Sequence, residues 1–339
     1  MKKNILTLFS VFALLVVFNS CSTKVDLYAD YKDITVVYGL LDSGADTNFI
    51  KINKAFLGPG NAYNIALIDD SCNYPGKLDA KLIEYRTNAS VNNYQKIAEF
   101  PLDTLTVHNK ELGLFYAPDQ LVYYTTQRIK PNNSQYKYRY ELQIDRGDTI
   151  ISATTNVVGG GSFTIPQASF NFSANSGTVS WTPCPYAAIY EVVFKFYFTE
   201  VGIHNDSVER CMTWALGSHP EFQLTNDNGT YSIPFKPTLF FYNMSVFLGA
   251  DTLNNQVERL VFERPLEVCI AAGGDELYNF ISVNAPTNSI VQNLPEYTNV
   301  NGGYGVLSSR VMFKKRMRLS GNTIPDLMKH TNWHFRQAK

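Results

Sequence analysis

The first chemistry this chain offers is acylation of a thiol. Lys2 and Lys3 precede an apolar run from Ile5 to Phe18, broken only by Thr7 and Ser10, and Ser20 stands directly before Cys21. A basic start, a short apolar stretch and a small residue at the processing point make a secretory export signal. A cysteine at that point is the lipid acceptor of a bacterial lipoprotein. The apolar run is too short to span a bilayer, which takes ~20 apolar residues. Residues 1–20 are therefore expected to leave as a signal peptide, with Cys21 lipidated and residues 21–33 acting as a polar tether.

Catalytic chemistry is harder to place. His108, His204, His219, His330 and His334 are the only imidazoles, and none lies in a nucleophile or acid–base frame. Neither a Gly-x-Ser-x-Gly elbow nor a His-Glu-x-x-His pair occurs. His330 and His334 have the i, i+4 spacing that puts two ligands on one helical face, but a third ligand is missing nearby. Asp69, Asp70 and Asn73 lack the spacing of a calcium loop and read as a solvated turn. Gly159-Gly160-Gly161 lacks the Lys-Ser/Thr of a phosphate loop and reads as a hinge. An enzyme would have to assemble distant carboxylates; the expectation is no enzyme, no cofactor and no metal.

The basic group Lys314, Lys315, Arg316 and Arg318 has two readings: a contact for headgroups or an acidic partner, or a charged strand end that discourages edge pairing. A formal net charge of −1 supplies no global basic field, so nucleic acid is not an expected partner. With Cys21 assigned to lipid, Cys72, Cys184, Cys211 and Cys269 are even in number, which leaves two disulfides or four buried thiols open.

The elements that must carry these residues are strands. The chain has 21 Tyr and 22 Phe against 17% charged residues, a balance that favours strands. From Ile34, strand-like runs alternate with Gly, Asn, Asp and Pro clusters: ITVVYGLL, NFIKINKAFL, AKLIEY, QKIAEF, LFYAP, YKYRYELQI and TIISATTNVV. Tyr138, Tyr140, Leu142 and Ile144 alternate with Lys137, Arg139, Glu141 and Gln143, as in a half-buried strand. These features predict an all-β fold of two β-sandwiches, at 34–158 and 163–272. A short helix at Leu277 to Val283 with a closing strand would fill 273–317, and 318–339 would be a polar tail.

In the second half, Trp181 on TVSW and Tyr190 on the following run resemble the core aromatics of a fibronectin type III or immunoglobulin-like domain, with further strands at CMTWAL, YSIPF, YNMSVFLGA, ERLVFE and LEVCIA. Thr298, Asn299, Val300, Gly302, Gly303, Tyr304, Gly305 and Val306, together with ITVVYGLL, LDAKLIEY and YRYELQI, resemble an uncharacterised Bacteroidota family of outer-membrane lipoproteins. That resemblance implies a transthyretin-like half followed by a fibronectin-like half. It also implies a place beside TonB-dependent outer-membrane receptors. Asp-Ser/Thr-aliphatic triplets look like the O-glycosylation acceptors of such envelope proteins, which marks Thr104, Thr149, Ser207 and Thr252; a turn-forming Asp before a strand yields the same triplet.

The functional expectation is a lipid-anchored, non-enzymatic outer-membrane protein, on the cell surface or the periplasmic face. It would bind a nutrient, glycan or peptide as accessory to a receptor, or act as an adhesion or assembly module. Loop aromatics and amides at Tyr123, Tyr124, Asn132, Asn299 and Tyr304 are the candidate contacts.

Overall fold

The computed structural model describes residues 32–57, 61–91, 93–108, 110–116, 119–160, 163–204, 206–249, 257–285 and 296–338. Cys21, the export signal, nearly all of the tether and Thr252 lie outside the described residues. The first half contributes β1 (Lys32–Asp42), β2 (Asn48–Leu57), β3 (Asp79–Asn88), β4 (Gln95–Pro101), β5 (Asp103–Val107), β6 (Gln120–Thr125), β7 (Tyr136–Asp145) and β8 (Ile150–Asn156). From the second come β9 (Ser169–Phe170), β10 (Gly177–Trp181), β11 (Ile189–Gly202), β12 (Ser207–Pro220), β13 (Thr225–Asp227), β14 (Thr230–Phe235), β15 (Val257–Val261), β16 (Leu266–Gly273), β17 (Val300–Asn301), β18 (Gly303–Leu319) and β19 (Phe335–Gln337). The helices are short: α1 (Ala62–Ala66), α2 (Asp69–Cys72), α3 (Leu239–Leu248), α4 (Asp275–Asn284) and α5 (Thr323–Lys329).

The fold is all-β, with sheets packed as sandwiches. One mixed eleven-stranded sheet runs β19-β15-β11-β16-β18-β1-β2-β6-β5, with β12 beside β11 and β9 beside the end of β18. A five-stranded sheet, β17-β8-β7-β3-β4, covers its first half, and a three-stranded sheet, β10-β14-β13, belongs to the second. In β7 the sequence alternation is realised: Tyr138, Tyr140, Leu142 and Ile144 face inward and pack with Val37, Leu41, Ile50 and Ile52. The second core is aromatic. Phe170, Phe172, Phe194, Phe196, Phe198, Trp214 and Phe240 fill it, and Trp181 meets Tyr190 at 5.4 Å between ring centroids, both fully buried. Aromatic pairs at such separations add ~0.5–1.5 kcal/mol each beyond the area they bury.

The closing strand does more than finish the second sandwich. β18 pairs in parallel with β1 from Gly303 to Arg310 and antiparallel with β16 from Arg310 to Met317. Its Leu307 belongs to the first core, and its Val311 and Met317 to the second. One long strand thus supplies both hydrophobic interiors. Within the glycine run at 159–161, Gly160 has φ +97, and a Cβ there would lie 1.8 Å from the Asn132 carbonyl oxygen.

Three expectations are corrected. YNMSVFLGA is not a strand, because Phe240, Met244 and Leu248 fall four residues apart and bury one face of α3. LFYAP forms no strand over its described residues 114–116. The polar tail is ordered: α5 buries Leu327, β19 pairs in parallel with β15, and Trp333 and Phe335 enter the second core. Three apolar side chains among many polar ones set the position of this segment, since burial of each is worth ~1.5–3 kcal/mol. The helix expected after Gly274 is α4, with Gly274 as its N-cap and Asp275 and Glu276 in the first turn.

Candidate functional site

The outer face of the first sandwich carries a cleft of about 540 Å³. Its floor is the β1–β2 ladder. There Val37, Leu41, Ile50 and Ile52 turn to the core, so the alternate residues Val36, Tyr38, Lys51 and Asn53 turn outward. A lid of two short helices stands over β2. Asn61 caps α1 by accepting from the Tyr63 N–H at 2.9 Å. Asn73, just after α2, donates to Asp69 Oδ1 at 2.6 Å and accepts from Asn53 Nδ2 at 3.0 Å, which pins α2 to β2. The far wall is the segment 110–116, held to α1 by the Tyr116 N–H bond to the Ala66 carbonyl at 2.8 Å.

The chemistry of this wall is cationic and aromatic. Lys51 donates to Gln120 Oε1 at 3.0 Å, and Lys110 donates to the Tyr116 carbonyl at 2.5 Å. Lys54 lies 4.0 Å from Asp33. Burial, then the neighbouring Lys110 charge, pulls the Lys51 ammonium below its ordinary value. Leu112, Leu114 and Phe115 on the segment 110–116 are exposed. Tyr38 closes the other end with its ring edge-on to Phe280 of α4, at 5.9 Å. A second, more polar hollow of about 340 Å³, lined by Thr104, Thr106, Asp119 and Gln120 among others, meets the first at Asn73.

The structure separates the expected contact residues. Tyr123 is 1% exposed and its hydroxyl accepts from the Leu78 N–H at 2.8 Å, so it is core rather than a ligand contact. Asn132 is likewise buried, its amide donating to the Val157 carbonyl and accepting from the Tyr138 N–H. Asn299 uses both ends of its amide on Leu307, which fixes the chain entering β18. These three amide and phenol groups are consumed by backbone partners, a role that loop position in the sequence does not reveal. Tyr304 is exposed and pairs in register with Val36 beside the cleft. Tyr124 is half-buried, tilted against Phe49 at 6.2 Å on the same sheet. Thr149 and Ser207 are exposed and Thr104 is half-buried.

Other chemical groups are dispersed. His330 stacks on Trp333 at 3.9 Å, and His334 adopts a left-handed backbone after a 3-10 turn, so the two histidines share no helical face. His108 bonds Asp119 at 2.9 Å on an exposed loop. Cys72, Cys184, Cys211 and Cys269 are free thiols rather than disulfide partners. Burial raises Cys184 to about 12 and Cys269 to about 11, which leaves them protonated and unreactive near neutral pH. Among the described residues no group of three His, Cys, Asp or Glu side chains could hold a metal ion, and no helix is long and apolar enough to cross a membrane. In the basic strand segment, Arg316 reaches Glu267 at 3.4 Å and covers the Tyr197 ring at 3.7 Å, while Lys315 donates to the Ile165 and Gln167 carbonyls.

Where α4 meets the two sheets, Glu276 accepts from Thr155 and Ser308, each at 3.1 Å. Burial raises its carboxyl above the ordinary 4.5, against the opposing pull of those hydrogen bonds. A carboxyl raised on folding favours the protonated native state. Its contribution is therefore complete below the ordinary range and is lost as pH rises through the raised value. Thermal melts from pH 4 upward are expected to show this decline in the wild type, with Glu276→Gln flattening that part of the profile. An identical profile in the variant would assign the slope to other groups.

The fold and the cleft together define a β-sandwich protein whose first half carries a concave, ligand-sized hollow. No protein-family model matches the chain, and no curated protein matches it. Among solved structures, a tetra-tandem repeat from the extending region of a large adhesion protein aligns at 10% identity over 84% of this chain and 49% of its own, with a TM-score of 0.17. The chain spans about half the length of that structure. Squid arrestin aligns at 9% identity over 69% of this chain and 92% of its own, with a TM-score of 0.15. Neither likeness bears on what this protein does.

Proposed function

We propose that this is a lipid-anchored, non-enzymatic binding protein of the outer membrane. It holds its ligand in the cleft between the β1–β2 face and the α1–α2 lid, as accessory to an outer-membrane transporter. The observation that carries the binding reading is the cleft itself: about 540 Å³, largely preformed, with apolar walls and a few placed amides and ammonium groups. Ligand sites have this size and composition. The export-signal pattern ending at Cys21 supports the anchor. Acyl chains at that position would confine the cleft to the membrane surface and raise its effective concentration near a receptor.

Two measurements test this. Cys21→Ser is expected to move the protein from the membrane fraction to the soluble fraction of the cell envelope; retention in the membrane would remove the anchor from the proposal. Mild crosslinking on intact cells, followed by purification from native membranes, is expected to recover a TonB-dependent receptor. Recovery of adhesion or assembly proteins instead would favour a structural module.

A further inference from the structure

Two lysines in the cleft face ligand space without a counter-charge. Lys51 and Lys110 bond only neutral oxygens, those of Gln120 and Tyr116, and no described carboxylate lies within ion-pair distance of either. The residues that adjoin these walls in sequence and fall outside the described ones, 58–60, 109 and 117–118, are Gly-Pro-Gly, Asn and Ala-Pro and carry no acid. Around the lysines the surface is apolar: Val36, Ala55, Phe56 and Phe115. Cations on such a wall lose hydration, and a neutral occupant would deepen that loss whereas an anion would reverse it. A divalent metal is repelled by the same charges.

We propose that the cleft binds a small organic anion, a carboxylate or sulfonate carried on a flat apolar body, with Lys51 and Lys110 holding the anionic group and Phe115 and Tyr38 flanking the body. This deepens the binding reading and rests on it. The lowered Lys51 ammonium agrees with the geometry, since a bound anion would move it back toward its ordinary value. The lysines contribute point charges on flexible stems, which suits a single anionic group rather than a bidentate fork. The volume suits one drug-sized molecule.

The test uses two matched dyes on the purified full chain: anilinonaphthalene sulfonate and its uncharged parent, phenylnaphthylamine. The sulfonate is expected to saturate one site and to bind about tenfold more tightly than the parent, the scale of one charge-assisted hydrogen bond. Lys51→Met and Lys110→Met should each weaken the sulfonate about tenfold and leave the parent unchanged. Ala62→Trp, at an exposed position in the cleft wall, should abolish both dyes without changing the melting temperature. Equal binding of the two dyes, with both lost in Ala62→Trp, would overturn the anion while keeping the cleft as the binding site. Dye binding indifferent to Ala62→Trp would overturn the cleft as well. Tighter sulfonate binding in the Asp26→Asn, Asp30→Asn double variant, which neutralises two carboxylates of the 21–33 tether, would identify that tether as occupant, and would also overturn the proposal.

Discussion

Gly305→Ala is expected to open the seam between β1 and β18 and to destabilise the protein by roughly 4 kcal/mol or more. Gly305 pairs with Val37 at the centre of the parallel ladder and has φ +109. A Cβ at this position would lie 2.0 Å from the Val37 carbonyl oxygen and 2.9 Å from its carbon. Both the torsion and the space exclude an L side chain, and the obstacle is backbone, which cannot rotate away as a side chain can. The loss should be local before it is global. β1 amides should exchange hydrogen fastest, because β1 is held on that side only by β18. Gly113→Ala is the matched control: a Cβ there meets nothing within 4 Å, and stability should stay within about 0.5 kcal/mol. Equal denaturation midpoints for the two variants would refute this account of the seam.

The second large effect is expected at Arg259, on β15 in the second core. Its side chain is fully buried; Nε donates to Glu200 Oε1 at 2.8 Å and Nη1 to the Trp333 carbonyl at 2.9 Å. Truncation to alanine removes the charge that balances Glu200, leaves a carbonyl without this donor and opens a side-chain-sized void. Breaking one member of a buried pair costs ~3–5 kcal/mol. Arg210, which also holds Glu200 at 2.8 Å, limits the damage to the carboxylate but cannot reach the tail's role. Because the Trp333 carbonyl bond ties the C-terminal segment to β15, Arg259→Ala should also expose that segment to proteolysis before the rest unfolds. The exposed pair Arg318 and Glu263 provides the contrast: its removal should cost no more than ~1 kcal/mol, as solvent screens both charges. An unchanged midpoint and intact tail in Arg259→Ala would show that the buried network is dispensable.

The cleft shows why sequence reading stopped short. Lys51 sits within NFIKINKAFL, where alternation with Ile50 and Ile52 already turns it outward. Nothing in that run says that Lys110, 59 residues later by the difference of the two positions, stands beside it. LFYAP reads as a strand from its apolar residues alone, and only the structure shows Leu114 and Phe115 left exposed. Conversely, Tyr123 and Asn132 have the residue types of a binding loop, and tertiary hydrogen bonds turned them into core.

From its own pattern the chain determined the all-β class, the two-sandwich plan, the alternating face of β7, the Trp181 and Tyr190 core pair and the helix after Gly274. All of these rest on periods of two or four residues and on turn chemistry, which neighbours in sequence decide. The tertiary structure alone decided that β18 joins both cores, that the C-terminal segment docks through Trp333 and Phe335, that the cysteines stay apart and that two distant lysines face one cleft. Those outcomes depend on which surfaces meet across segments far apart in sequence. Burial is non-directional, so a sequence states how much apolar surface must be covered and leaves to the fold which partner covers it.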